Sequence, residues 1–95
     1  MALSERSEND KIEVVGSFKA VQVRRADIVE RDGTEIARSF HRHCLMPGSD
    51  DADDNWTDTD ISGEDADVQA ICNAAWTQAV KDAYKAHLIA TRDAL

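Results

Sequence analysis

The sequence has few aromatic residues and no long apolar run. Only 5% of its 95 residues are aromatic, and much of the apolar content is alanine, which buries little area per side chain. At about 25 cal/mol per Å² of buried apolar surface, such a core gives modest stabilisation. No stretch approaches the ~20 apolar residues that span a bilayer, and the polar start MALSERSEND lacks the apolar segment of a signal peptide. We therefore expect one small domain with no membrane contact, stabilised by a protein partner.

Cysteine and net positive charge are also scarce. The two cysteines, Cys44 and Cys72, lie far apart and form no CxxC pair, so we expect reduced thiols. The formal net charge is −8 at pH 7, whereas binding to phosphates requires clustered lysine and arginine. These features predict no direct contact with nucleic acid.

Motifs of catalysis and nucleotide binding are missing from the sequence. There is no GxGxxG, no P-loop and no GxSxG. Catalysis by Cys44 with His41 or His43 needs hydrogen-bond reach, but His43 and Cys44 would point to opposite faces of a strand. We expect a protein that is not an enzyme and has no cofactor.

The clearest local pattern is a β-hairpin within a sheet region that spans residues 11–48. The turn Asp32-Gly33 separates FKAVQVRRADIVE from TEIARSFHRHCLM, and glycine tolerates the positive φ that such a turn requires. Residues 12–15 predict a further short strand, and the polar residues 1–10 predict a flexible arm.

The sequence leaves the register of the hairpin open and predicts a bulge or bend in its first strand. A two-residue loop pairs Val29 with Ile36 and Asp27 with Arg38, but it also sets Glu30 opposite Glu35. A three-residue loop with a bulge avoids that repulsion, and both registers stay open. The apolar positions change parity between Val23 and Ile28, which predicts a bulge or bend near Arg24-Arg25.

Residues 62–93 predict the helical part of an α+β fold. They contain one glycine and no proline, and Ser62 is the expected N-cap. The apolar positions step by four and would drift around one straight helix. Two helices over residues 63–76 and 78–92, with Thr77 capping the second, are favoured over one bent helix. The apolar stripe consists of Val68, Cys72, Trp76, Val80, Tyr84 and Leu88.

An acidic loop over residues 49–61 connects the sheet to the helices. Residues 50–67 hold nine acidic residues and no basic residue, which suggests a solvated linker or, as one alternative function, a regulator that mimics nucleic acid. Trp56 gains little from a charged linker. It either packs on its own domain or anchors a partner.

The segment SFHRHC, residues 39–44, carries two candidate zinc ligands that lie close in sequence. His41 and His43 share one face of a strand, but zinc needs a third and usually a fourth ligand, and only Cys72 and His87 are available. A metal-binding module based on His41 and His43 is a second alternative function. The favoured interpretation is that His41 and His43 lie on a solvated or interface face, flanked by Arg38 and Arg42. The candidate interface residues of the chain are Arg38, Phe40, Arg42 and Trp56.

The segments KIEVVGSFKAVQVRRADIVERDGTEIARSFHRHCLMPG and GEDADVQAICNAAWT resemble small virion- or tail-associated proteins of tailed bacteriophages. The resemblance implies a virion component, assembled in the host cytoplasm and present in several copies, and it supplies no active site. We therefore expect a structural or assembly protein with a three-stranded sheet or hairpin and a helical pair. Its expected partners are copies of itself or other virion proteins.

Overall fold

The computed structural model describes residues 2–94 and has the predicted α+β fold. Three strands form an antiparallel sheet in the order β1-β2-β3, and two helices follow. A small two-stranded sheet, β4-β5, lies between them in the chain. The elements are β1 Leu3–Val15, β2 Ala20–Arg31, β3 Thr34–Leu45, β4 Gly48–Asp50, β5 Trp56–Asp58, α1 Ala66–Ala75 and α2 Gln78–Asp93.

The hairpin between β2 and β3 has a two-residue loop. Asp32 and Gly33 have φ values of 51° and 82°, which suits the tight primed turn of a two-residue loop. Glu30 does lie opposite Glu35, but each has its own cation: Arg6 bonds to Glu30 at 2.6 Å, and Arg38 bonds to Glu35 at 2.6 Å. These ion pairs offset the repulsion that the sequence predicted.

A bulge follows the turn, so the observed strand pairs match neither of the two predicted registers throughout. The register shifts between Val29 and Glu30, and Val29 pairs with Ala37 instead of Ile36. Asp27 consequently pairs with Ser39. A bulge was expected with a longer loop; the structure instead combines it with the short loop.

The prediction of a flexible arm over residues 1–10 is wrong for residues 3–10. Strand β1 begins at Leu3 and pairs with β2 along its whole length, from Leu3 opposite Arg31 to Val15 opposite Ala20. Its first half has no apolar alternation because both faces are solvated there. Backbone hydrogen bonds and ion pairs such as Arg6 with Glu30 hold it instead.

The change of apolar parity in β2 also has a cause different from the predicted one. Strand β2 pairs regularly with β3 through Arg24 and Arg25, and the irregularity lies in β1, between Asn9 and Lys11. Val21 and Val23 face the helices, on what we call the helix face of the sheet. Alternation along β2 places Ala26 and Ile28 on the opposite, helix-free face.

Side chains of the neighbouring strands, rather than a helix, flank the buried apolar residues of the helix-free face. Ile28 is buried and lies in one row with Arg6 and Arg38. Ion pairs join Arg6 to Glu8 and Arg38 to Asp10 and Glu35.

The main core is small and lies at one end of the sheet. Val21 and Val23 pack with Val68, Cys72 and Trp76, and Ile12, Leu45 and Ile61 are among the partly buried residues around them. The Trp76 indole also donates a hydrogen bond to the Lys19 carbonyl at 2.8 Å. Three members of the predicted helical stripe therefore form the helical side of this core.

The helical region is divided as predicted, but it begins later. Thr77 separates α1 from α2, and its hydroxyl accepts a hydrogen bond from the Val80 amide. The N-cap of α1 is Asp65, without a side-chain capping bond, so the assignment of Ser62 is wrong. The Ser62 amide instead bonds to Asp60 within a turn. In the part of the chain that the structure describes, neither helix has the length and apolar character to cross a membrane.

The molecule is strongly elongated. Its extents are 60 × 27 × 20 Å and its radius of gyration is 17.7 Å, whereas a compact chain of this length would have about 12 Å. The helix-bearing end contains the main core. The other end, which we call the distal sheet, comprises residues 3–8, 26–31 and 34–40. It contributes no residue to that core and has no helix over it.

Candidate protein interface

Strand β3 is an exposed edge along almost its full length. Every residue from Thr34 to Cys44 is exposed, and only Leu45 is partly buried. One side of the strand pairs with β2, and within residues 2–94 no strand pairs with the other side. An edge of this kind presents free backbone N–H and C=O groups to a partner strand.

Three of the predicted interface residues lie together on the helix-free face of β3. Arg38, Phe40 and Arg42 pair in turn with Ile28, Ala26 and Arg24 of β2. Phe40 is 41% exposed, and the Arg24 guanidinium lies 4.4 Å from the centroid of its ring. This cation–π contact fixes the ring without burying it.

The two arginines of β3 differ in what they bind. Arg38 forms ion pairs with Glu35 and Asp10. Arg42 has no ion-pair partner among the described residues, and its guanidinium lies 5.9 Å from the centroid of the Phe40 ring. Arg42 is therefore a cation that the described part of the chain leaves available to another molecule.

Asp10 binds the arginines of two neighbouring strands. Its carboxylate accepts two hydrogen bonds from Arg24, at 2.9 and 2.8 Å, and lies 3.7 Å from Arg38. The bond from Arg24 is the largest cause that lowers the pKa of Asp10 below its ordinary value. The bulge in β1 therefore places a carboxylate that links all three strands.

The two histidines lie on the helix face and contact different carboxylates. His41 Nε2 is 2.9 Å from Asp27, and His43 Nε2 is 2.9 Å from Glu64. Cys44 pairs with Gln22 and lies on the helix-free face, so it shares no face with either histidine. His43 and Cys44 therefore point to opposite faces of β3, as the sequence predicted.

The further ligands that a metal-binding module would use lie elsewhere. Cys72 is fully buried in the core, where burial raises the pKa of its thiol. His87 packs on Phe18, with the ring centroids 4.8 Å apart. Within the described residues, no group of three histidine, cysteine or carboxylate side chains is placed to hold a metal ion.

Trp56 packs on its own chain. Its indole donates a hydrogen bond to Asp58 at 2.6 Å and meets the Tyr84 ring edge-on, with centroids 6.2 Å apart. Gly48 lies directly against the indole, where a side chain would collide with it. Of the two open alternatives, the structure shows the intramolecular one and sets Trp56 apart from the β3 residues.

The acidic segment is folded rather than extended. Strands β4 and β5 pair within the predicted loop, and Asp51 accepts hydrogen bonds from the amides of Asp53 and Asn55. Arg92 of α2 bonds to Asp54 and lies 3.6 Å from Asp50. Most of its carboxylates thus bind groups of the same chain, which leaves less free negative charge than the sequence suggested.

Within the described residues 2–94, strand β1 is a second free edge, which sequence reasoning missed. It carries four acidic residues and two basic ones. Strand β3 carries two arginines and two histidines against one acid. The missed signal is the charge contrast between two polar strands, and it has meaning only once both are known to be edges.

The chain matches no protein-family model, and no curated protein or solved structure shows significant similarity to it.

Proposed function

We propose that this chain is a structural or assembly protein that acts through protein–protein contacts, as a component of a bacteriophage virion or tail. The observation that carries the proposal is β3, a twelve-residue edge strand with eleven exposed residues. Backbone pairing along such an edge gives affinity, and its side chains give specificity. The phage assignment follows from the resemblance of residues 11–48 and 63–77.

The small core supports a role that depends on partners. Among residues 2–94 the buried hydrophobic side chains number seven, and two of them, Ala26 and Ile28, lie on the helix-free face, away from the helices. The distal sheet extends away from the main core, so its stability depends on backbone pairing and ion pairs. A protein surface laid along it would bury the exposed side chains of Leu3, Ile36 and Phe40.

The partners we propose are copies of the chain itself or other virion proteins. The resemblance implies that these partners belong to a virion assembled in the host cytoplasm. We assign the chain no catalytic reaction and no cofactor, since its exposed side chains supply shape and charge for binding.

Light scattering after size-exclusion chromatography tests the proposal. We expect a mass above that of the 10.5 kDa chain, increasing with protein concentration, or a complex with purified virion subunits. A chain that stays monomeric at every concentration and binds no virion subunit would contradict it.

A further inference from the structure

We infer that the partner of β3 is β1 of a second copy, so that the sheet continues head-to-tail from one copy to the next. This inference rests on the proposed function and names the partner and the surface. Both edges are free within the described residues. They also run in the same direction, because each is antiparallel to β2. A copy placed beside the first with the same strand direction therefore brings β3 and β1 together as a parallel pair.

Charge decides between this arrangement and its alternatives. Pairing β3 with β3 of another copy would bring Arg38 and Arg42 close to the same arginines of the partner. Pairing β1 with β1 would join two strands that each carry four acidic residues against two basic ones. Like charges opposite each other destabilise a strand pair, and opposite charges stabilise it. Only the pairing of β3 with β1 joins a basic edge to an acidic one.

The spacing of the charges fits this pairing. Arg38 and Arg42 lie in the rows of Ile28 and Arg24, four residues apart on β2. Glu8 and Glu13 lie in the rows of Ala26 and Gln22, which are also four residues apart.

The bulge in β1 makes this match possible. Glu8 and Glu13 are five positions apart in sequence. The register shift between Asn9 and Lys11 inserts one extra residue into β1, so the two glutamates pair with β2 residues that are only four positions apart. The side chains of both glutamates, and those of Arg38 and Arg42, thus lie on the helix-free face.

The rows also set the register. Aligning Arg38 with Glu8 of the next copy aligns Arg42 with Glu13, after a stagger of two residues, or roughly 7 Å. Arg42, which lacks an ion-pair partner among the described residues, would then have one. A head-to-tail contact of this kind forms a ring if the rotation closes and a helical filament if it does not.

Charge reversal of the full chain tests the inference, with Arg42→Glu and Glu13→Arg as separate variants. We expect each to self-associate at least about tenfold more weakly than the unmodified chain, because each sets like charges opposite each other. A 1:1 mixture should assemble again, because both kinds of interface in an alternating assembly join opposite charges. Where β3 of the Arg42→Glu variant meets β1 of the Glu13→Arg variant, both charges are reversed, and at the next interface neither is. Arg31→Glu is the matched control, because it makes the same charge change on the central strand.

The outcomes distinguish this inference from the proposed function. If the chain self-associates but neither reversal weakens it, or if the folded variants do not restore assembly when mixed, then the pairing of β3 with β1 is wrong and the proposed function stands. If the chain binds only other virion subunits, the second copy is wrong as the partner. A chain that binds neither contradicts both proposals.

A conservative variant keeps the test valid if the charge-reversed variants fail to fold. Arg42→Lys retains the positive charge and supplies an amine that a carbodiimide couples to a neighbouring carboxylate. In a mixture of ¹⁴N- and ¹⁵N-labelled protein, we expect a mixed-isotope cross-link between positions 42 and 13. A cross-link confined to single copies, or none at all in the assembled protein, would overturn the inference.

Discussion

Single residues show how the acidic segment, predicted as a loop, becomes ordered. Gly48 lies against the Trp56 indole, and a Cβ at this position would be 2.5 Å from the Thr57 carbonyl oxygen. The glycine therefore serves close packing here, and no positive φ requires it. The tryptophan in turn joins β5 to α2 through Tyr84.

We predict that Gly48→Ala destabilises the protein by about 1–3 kcal/mol, because the added methyl group forces the indole and the β5 backbone apart. Thermal unfolding followed by circular dichroism measures the loss. Gly63→Ala is the control, since a Cβ at Gly63 meets no atom within 4 Å. Equal unfolding temperatures for the two variants would show that the contact between Gly48 and Trp56 does not matter.

A second residue-scale prediction concerns Asp10, whose pKa Arg24 and Arg38 hold below its ordinary value. A lowered pKa stabilises the fold above the ordinary aspartate value of about 3.9, and that contribution is lost as the pH falls through the lowered value. We therefore expect Asp10→Asn to lose less stability than the unmodified chain between about pH 5 and pH 1.

Urea unfolding at both ends of that pH range measures the effect of Asp10→Asn. The control is Asp53→Asn, whose carboxylate has no partner within residues 2–94. The control should keep the acid sensitivity of the unmodified chain. An unchanged acid response in Asp10→Asn would mean that the ion pairs across the three strands do not stabilise the sheet.

At the scale of elements, the helix boundaries distinguish two capping candidates that look alike in the sequence. Thr77 accepts a hydrogen bond from the Val80 amide, whereas the N-cap position of α1 is Asp65 and not Ser62. We predict that Thr77→Ala costs about 1 kcal/mol and that Ser62→Ala has little effect. Chemical denaturation of both variants checks this, and a similar loss in each would contradict the assignment.

The elements that sequence could predict are those specified by neighbouring residues. The turn at Asp32-Gly33 depends on two adjacent backbone conformations, and the break at Thr77 depends on a drift of the apolar stripe; both are observed. Strand β1 before Asp10 was missed because its residues are polar on both faces, and only pairing with β2 makes them a strand.

The candidate interface was partly predictable for the same reason. Arg38, Phe40 and Arg42 were identified because this strand carries basic and apolar residues together, and alternation along it places the three on one face. The bulge at Asp10, which sets the spacing of Glu8 and Glu13, depends on how β1 aligns with β2. No pattern within either strand specifies that alignment.

At the scale of the whole molecule, the elongated shape divides stability between two ends. The helix-bearing end contains Val21 and Val23 under α1, whereas the distal sheet has strands without a helical layer. Backbone hydrogen bonds that are exposed to solvent and covered by few apolar contacts open locally at low free-energy cost. In the isolated chain, the distal sheet should therefore open more often than the core end of the same strands.

Hydrogen exchange followed by mass spectrometry tests this division and its link to assembly. In dilute protein, we expect amides of residues 26–31 to exchange faster than those of residues 21–23, although both lie on β2. At high concentration, the outer amides of β1 and β3 should become protected, because a neighbouring strand binds them. Arg42→Glu at the same concentration should retain the dilute pattern. Uniform exchange along β2 would contradict the division. Protection that persists in the Arg42→Glu variant would show that the copies meet at another surface.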